Sequence, residues 1–336
     1  MNLYAALRTR SVLFGTAFCT SGILSAYCKE EIFCGEMFDD PILATGKRVI
    51  ITGTTSGIGL ETARELVERE AHVYMACRNM KKCNQIADQM ISDTRNKNVH
   101  CLECDLSSME SIRKFVEKYK EKEERLDILI NNAAVSTCPQ SKTKDGIEMQ
   151  FGVNHIGHFL LTNLLLDLIK KSAPSRIINV SCSSHHNGKI NKEDLNSETE
   201  YNATDAYNQS KLANILFTRN LARRLTGTGV TVNAVDPGRT TSRINRHILM
   251  YRGVFGWIIN PLMNPFLKTP FAGAQTVLYA ALEPTLNRIS GLYFSECSKG
   301  KIAEDARNHE MSEWLWQVSE KWTGLTTTTN ESEKNK

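Results

Sequence analysis

The chain has 336 residues, of which 41% are hydrophobic and 23% charged, and its net charge is +4. That composition excludes a disordered chain, and the length fits one α/β domain with appendages better than two large domains. The charge is too small and too evenly spread, with no basic run interleaved with aromatics, for a nucleic-acid partner.

From Ser11 to Tyr27 no residue is charged and many are apolar; Arg8 and Arg10 precede the stretch, and Lys29, Glu30 and Glu31 follow it. As a helix this stretch rises about 26 Å, just short of a hydrocarbon core. A membrane anchor within residues 1–30 is the leading reading, with the endoplasmic reticulum as its membrane and the N-terminus cytoplasmic. The basic, acid-free start also fits a mitochondrial transit peptide, and a cleaved secretory signal fits least. Residues 31–44 read as a linker and residues 326–336 as a polar, disordered tail.

Between these ends lie apolar runs at Val49–Thr52, Val73–Ala76, Val99–Leu102, Ile128–Ile130, Ile177–Val180, Val230–Val235 and Leu292–Phe294. Helical patterns separate the first six, and another, around Gly273 to Leu282, precedes the last. Continuous apolar strands joined by helices predict one α/β domain over residues 45–325. Its architecture is a Rossmann-type, doubly wound, parallel seven-stranded sheet with helices on both faces.

Ten cysteines are scattered along the chain, and Cys101-x-x-Cys104 falls within a strand-like run with no second pair at zinc spacing. They read as buried thiols in a reducing compartment, with no metal site. Of the Asn-x-Ser/Thr sequons, Asn179 lies in an apolar strand and Asn208 beside Tyr207, where a glycan does not fit. Asn202 and Asn330 accept one only on a lumenal face.

The first strand runs into Gly53-Thr54-Thr55-Ser56-Gly57-Ile58-Gly59 and then a helix. Glycines there permit a tight turn and let backbone N–H groups approach a pyrophosphate at the helix N-terminus. Gly53, Thr55, Ser56, Gly57, Ile58 and Gly59 are therefore candidate cofactor-binding residues. The second strand ends at Arg78 rather than at the acidic residue that holds a ribose hydroxyl. A guanidinium there suits a 2′-phosphate, so the expected cofactor is NADP(H). Asp105 and Leu106, after the third strand, are placed at the adenine, and Asn132 and Ala133, after the fourth, along the cofactor.

Together with Asn131–Ala134, Tyr207-Asn208-Gln209-Ser210-Lys211 and Asp236-Pro237-Gly238, this turn resembles the short-chain dehydrogenase/reductase family. Tyr74–Arg78, Gly152–Phe159 and Ser210–Asn214 narrow the resemblance to the retinol dehydrogenase 11–14 branch, over about Gly46 to Leu325. Tyr207 and Lys211 share one helix face. The resemblance implies that Tyr207 is the acid/base, its pKa drawn down by the Lys211 ammonium. It also implies that Asn154 holds a relay water through Lys211, and that Tyr207, Lys211, Pro237, Gly238 and Thr240 (or Thr241) meet the nicotinamide. The family's substrate-binding serine is replaced by Cys182, a weaker donor. Three outcomes follow: Cys182 serves with lower efficiency, Ser183 or Ser181 substitutes, or cofactor binds without turnover. The stretch Ile248 to Leu267, with Phe255, Trp257 and Phe266, suits an apolar carbonyl or alcohol reached from a membrane, or else packs on its own domain or a dimer partner. The resemblance further implies a homodimer through the helices around Asn154 and Tyr207.

Overall fold

The computed structural model describes residues 35–241 and 267–325. The expected anchor, the first four linker residues, the tail and the apolar stretch up to Phe266 lie outside the described residues. Among the described residues no helix is long and apolar enough to cross a membrane.

The strands are β1 (Arg48–Thr52), β2 (His72–Cys77), β3 (Val99–Glu103), β4 (Ile128–Asn131), β5 (Ser175–Val180), β6 (Val230–Asp236), β7 (Tyr293–Ser295) and β8 (Ser298–Lys299). They stand in the order β3-β2-β1-β4-β5-β6-β7-β8. The first seven run parallel, as their apolar continuity predicts. The expectation of seven strands is corrected by one: β8 pairs antiparallel with β7. Its two residues are both exposed, so no hydrophobic pattern marks it.

The helices are α1 (Gly57–Glu68), α2 (Met80–Thr94), α3 (Met109–Lys120), α4 (Gly157–Lys171), α5 (Ala203–Arg224), α6 (Pro270–Leu282) and α7 (His309–Thr323). Alternate residues of each strand feed the two faces. Val49 and Ile51 pack with α1 and α6, whereas Ile50 packs with α3 and α4. Start signals are local. Asn79 accepts from the amide of Lys82, Asn202 from Thr204 and Asp205, and Asn308 from Met311.

α4 is entered through a π-helical turn, Gly152–Ile156, which inserts an extra residue and carries Asn154. α7 covers the back of this turn. Ser319 Oγ lies 3.0 Å from His155 Nε2, Trp322 meets Phe151 edge-on at 6.0 Å, and Trp316 packs on Phe159 and Phe217.

Within the expected linker, residues 35–44 pack on the domain: Phe38 and Ala44 are buried, and Phe38 lies edge-on against Tyr279 beneath the Arg69 guanidinium. The apolar residues of this stretch, Phe38 among them, follow neither the helical nor the strand period, which hides this packing from the sequence. A further expectation changes: not all the cysteines are thiols, and Cys83, in the first turns of α2, is bonded to Cys101 on β3. Spacing along the chain does not reveal the pair, because the αβ crossover brings the two together.

Candidate active site

The site lies at the C-terminal ends of the parallel strands. Gly53 has φ +75°, and a Cβ there would stand 2.9 Å from Ala133 Cα. At Gly59 a Cβ would run into Asn132 Nδ2 and stand 2.6 Å from the Gly53 carbonyl. Only glycine lets the turn press this closely on the segment after β4. Ser56, the N-cap of α1, makes no side-chain capping bond, and the first turn of α1 holds no acidic residue. The leading amides of α1 are thus left to an external acceptor, an arrangement that suits a phosphate.

These residues border a cavity of about 250 Å³ lined by Gly53, Thr55, Ser56, Gly57, Ile58 and Gly59. Arg78, Asp105, Leu106, Asn132 and Ala133 also line it, so eleven of the expected cofactor residues meet there. Arg78 is exposed and makes no ion pair among the described residues, leaving its guanidinium free to meet an anion. Asp105 Oδ1 accepts from the amide and hydroxyl of Ser107, which fixes its carboxylate at the rim. The glycine cradle, the uncapped helix and the free guanidinium fit a dinucleotide.

The chemical half is built from β5, β6 and α5. Tyr207 Oη lies 3.6 Å from Cys182 Sγ. Ser181 instead donates to the Lys211 carbonyl at 2.9 Å, and Ser183 is exposed at the start of a 3₁₀ turn. Of these three, only Cys182 is in hydrogen-bond contact with the Tyr207 hydroxyl. Lys211 is buried; its Nζ donates to the Val180 carbonyl at 3.2 Å and sits 5.5 Å from the centre of the Tyr207 ring. Burial lowers the Lys211 pKa, against the opposing pull of Cys182 and Asp236. Burial, followed by Cys182 and then Asp236, raises Tyr207 well above its ordinary value. Burial thus opposes the lowering expected from Lys211, whose ammonium stands against the Tyr207 ring and the Val180 carbonyl.

Asn154 is completely buried. Its Oδ1 accepts from the Val135 amide at 2.8 Å, and its Nδ2 donates to the Val135 carbonyl and to Ser210 Oγ. It thereby ties the strand-β4 turn to the helix of Tyr207, with no direct bond to Lys211 among the described residues.

Pro237, Gly238 and Thr240 follow β6, outside the cavity wall. Gly238 has φ +76°, its amide donates to Asp236 Oδ1 at 2.8 Å, and Thr240 pairs with Lys268 across an isolated bridge. Sequence reasoning placed Asp236 in a motif without giving it a role; its Oδ2 accepts from Tyr293 at 2.8 Å. Sequence reasoning passed over Asn79, which lines the cavity while capping α2. The capping signal at Asn79 was readable; nothing near Tyr293 pointed to its partner.

A family model described as short chain dehydrogenase matches residues 47–250. Retinol dehydrogenase 12 of Bos taurus is 48% identical over 289 residues, covering 86% of this chain and 90% of the relative. Retinol dehydrogenase 11 of Homo sapiens is 49% identical over 274 residues, covering 82% and 85%. Among solved structures, an uncharacterized protein from Mycobacterium paratuberculosis superposes with a TM-score of 0.69 at 33% identity, covering 86% of this chain and 98% of that one. The RhlG/NADP complex of Pseudomonas aeruginosa superposes with a TM-score of 0.60 at 25% identity, covering 75% and 95%. The glycine cradle, the Tyr207–Lys211 helix and these matches agree, and the chain belongs to the short-chain dehydrogenase family, in its retinol dehydrogenase branch.

Proposed function

We propose that the protein is an NADP(H)-dependent oxidoreductase that interconverts an apolar aldehyde or ketone, retinal or another lipid carbonyl, with its alcohol. The observation that carries this reading is the Tyr207 hydroxyl 3.6 Å from Cys182 Sγ, on a helix tied through Asn154 to the wall of the dinucleotide cradle. Bound NADPH supplies the hydride. Tyr207 donates its proton to the carbonyl oxygen, and the Lys211 ammonium behind the ring compensates the phenolate that results. Cys182 offers the substrate oxygen a weak S–H donor. Asn154 keeps the β4 turn and α5 in register.

Arg78, without an ion pair and on the cavity wall, supports a 2′-phosphate and hence NADP(H) over NAD(H). The relatives named retinol dehydrogenase support a retinoid-like substrate. The uncharged stretch from Ser11 to Tyr27 supports attachment to a membrane, that of the endoplasmic reticulum ahead of a mitochondrial one. A homodimer through the helices around Asn154 and Tyr207 belongs to the same proposal. The thiol at the serine position favours one second reading, a membrane-attached NADP(H)-binding protein with weak or no catalysis.

The test is NADPH oxidation with all-trans-retinal and a medium-chain aldehyde. Wild type turns over at least one, and Tyr207→Phe loses about a hundredfold or more in kcat while binding NADPH as tightly. Bound NADPH with no turnover by wild type but rescue in Cys182→Ser would favour the second reading, and no turnover by either protein would refute the enzyme reading.

A further inference from the structure

His158 lies one turn beyond Asn154 and is buried at 2% exposure. Its Nδ1 is 3.0 Å from the backbone carbonyl of Asn154, and its Nε2 is 2.9 Å from Thr52 Oγ1. A carbonyl only accepts, so Nδ1 carries the proton. Nε2 is then an acceptor, and Thr52 must donate to it. The alternative acceptor for that hydroxyl, the Ile130 carbonyl, is 3.5 Å away. With its proton committed to His158, Thr52 Oγ1 turns its lone pairs to two backbone donors, the amides of Asn132 and Ala133, each at 2.9 Å.

The chain of bonds is thus fully assigned: Asn154 carbonyl, His158, Thr52, then the Asn132 and Ala133 amides. It joins the π-helical turn that carries Asn154 to the segment against which Gly53 and Gly59 are pressed. Burial is the main reason the imidazole stays neutral, with its pKa lowered to about 4; the Asn154 carbonyl opposes the shift and Lys211 adds to it. A neutral ring is the only form that leaves Nε2 able to accept.

We propose that His158 is a positioning residue that acts through Thr52: its neutral Nε2 fixes the Thr52 hydroxyl so that the Asn132–Ala133 backbone is held where the dinucleotide must lie. His158 does not line the dinucleotide cavity. The inference rests on the dinucleotide reading of the cavity and gives that site a second support, reaching it from the sheet side.

The experiment is NADPH binding to the full chain, followed by quenching of protein fluorescence, with thermal denaturation as the folding control. His158→Phe and Thr52→Val each remove the link and are expected to weaken NADPH binding about tenfold. A glutamine at 158 offers an acceptor near the Nε2 position and asparagine does not. His158→Gln should therefore recover most of the affinity, whereas His158→Asn should not. Thr52→Ser, which keeps the hydroxyl, should bind like wild type. Wild-type affinity in Thr52→Val, or equal affinity in His158→Gln and His158→Phe, overturns the proposal. Should His158→Phe not fold, the His158→Gln and His158→Asn pair decides alone, equal affinity in the two overturning the proposal. Failure of wild type to bind NADPH or NADH would instead refute the dinucleotide reading, and this inference with it.

Discussion

Cys182→Ser is expected to make the protein a faster enzyme. The Cys182 Sγ to Tyr207 Oη separation of 3.6 Å is a contact only sulfur makes. An O–H···O bond is about 0.8 Å shorter, so the thiol is a long and weak donor to any oxygen that Tyr207 also reaches. Loss of one full donor from a preorganised site costs about a hundredfold or more in rate. The thiol retains part of that, so restoring a hydroxyl should raise kcat for an apolar aldehyde about tenfold, roughly 1.4 kcal/mol of barrier. Cys182 lines none of the cofactor cavity, so NADPH affinity should not move. The assay is NADPH oxidation at saturating cofactor for wild type, Cys182→Ser and Cys182→Ala. The alanine variant should be slower than wild type, having no donor at all. If all three turned over at one rate, Cys182 would not touch the reacting oxygen and the substrate would bind elsewhere.

Arg78→Ala should weaken NADPH binding by about tenfold or more while leaving NADH nearly unchanged, since one charge-assisted hydrogen bond contributes about 1.5–3 kcal/mol. Competitive titration of the two cofactors reads this, and an unaltered ratio would remove Arg78 from the 2′-phosphate. Stability should fall as pH drops from about 6.5 toward 4.5. His155 and His158 are buried and neutral in the fold, with pKa values lowered to about 3 and about 4, mainly by burial. Below about pH 6.5 the unfolded chain takes up these protons and the folded chain does not, a loss of about 2–3 kcal/mol for each by pH 4.5. Asp127 acts later. Burial pushes its carboxyl up, but Arg125, the Arg48 amide and Lys47 outweigh it, so its share is lost only below its ordinary 3.8. Urea midpoints measured between pH 7.5 and 4.5 should show the loss, reduced by about half in His158→Gln.

The parts of the site legible in the sequence are those carried by local chemistry. The glycines from Gly53 to Gly59 announce a turn too tight for side chains, and Tyr207 with Lys211 announces one helix face. Continuous apolar runs gave the parallel strands to within a residue or two. What stayed hidden lies in contacts between distant segments. Thr52 and His158 are 106 residues apart, and neither signals the other. Phe38 lies in a stretch without helical or strand period, and the Cys83–Cys101 bond depends on a crossover that spacing does not show. Sequence places Lys211 on the right face but not its ammonium against the Val180 carbonyl, and it does not show the burial that opposes the lowering of Tyr207.

The seating of α7 behind the π-helical turn also orders events in time. The cradle between β1 and β4 needs only the first part of the chain, whereas the wall behind Asn154 waits for Ser319, 164 residues after His155. At cellular rates of synthesis that interval is roughly 8–30 s. The wall behind the proton-handling half is thus among the last parts of the domain to be synthesised.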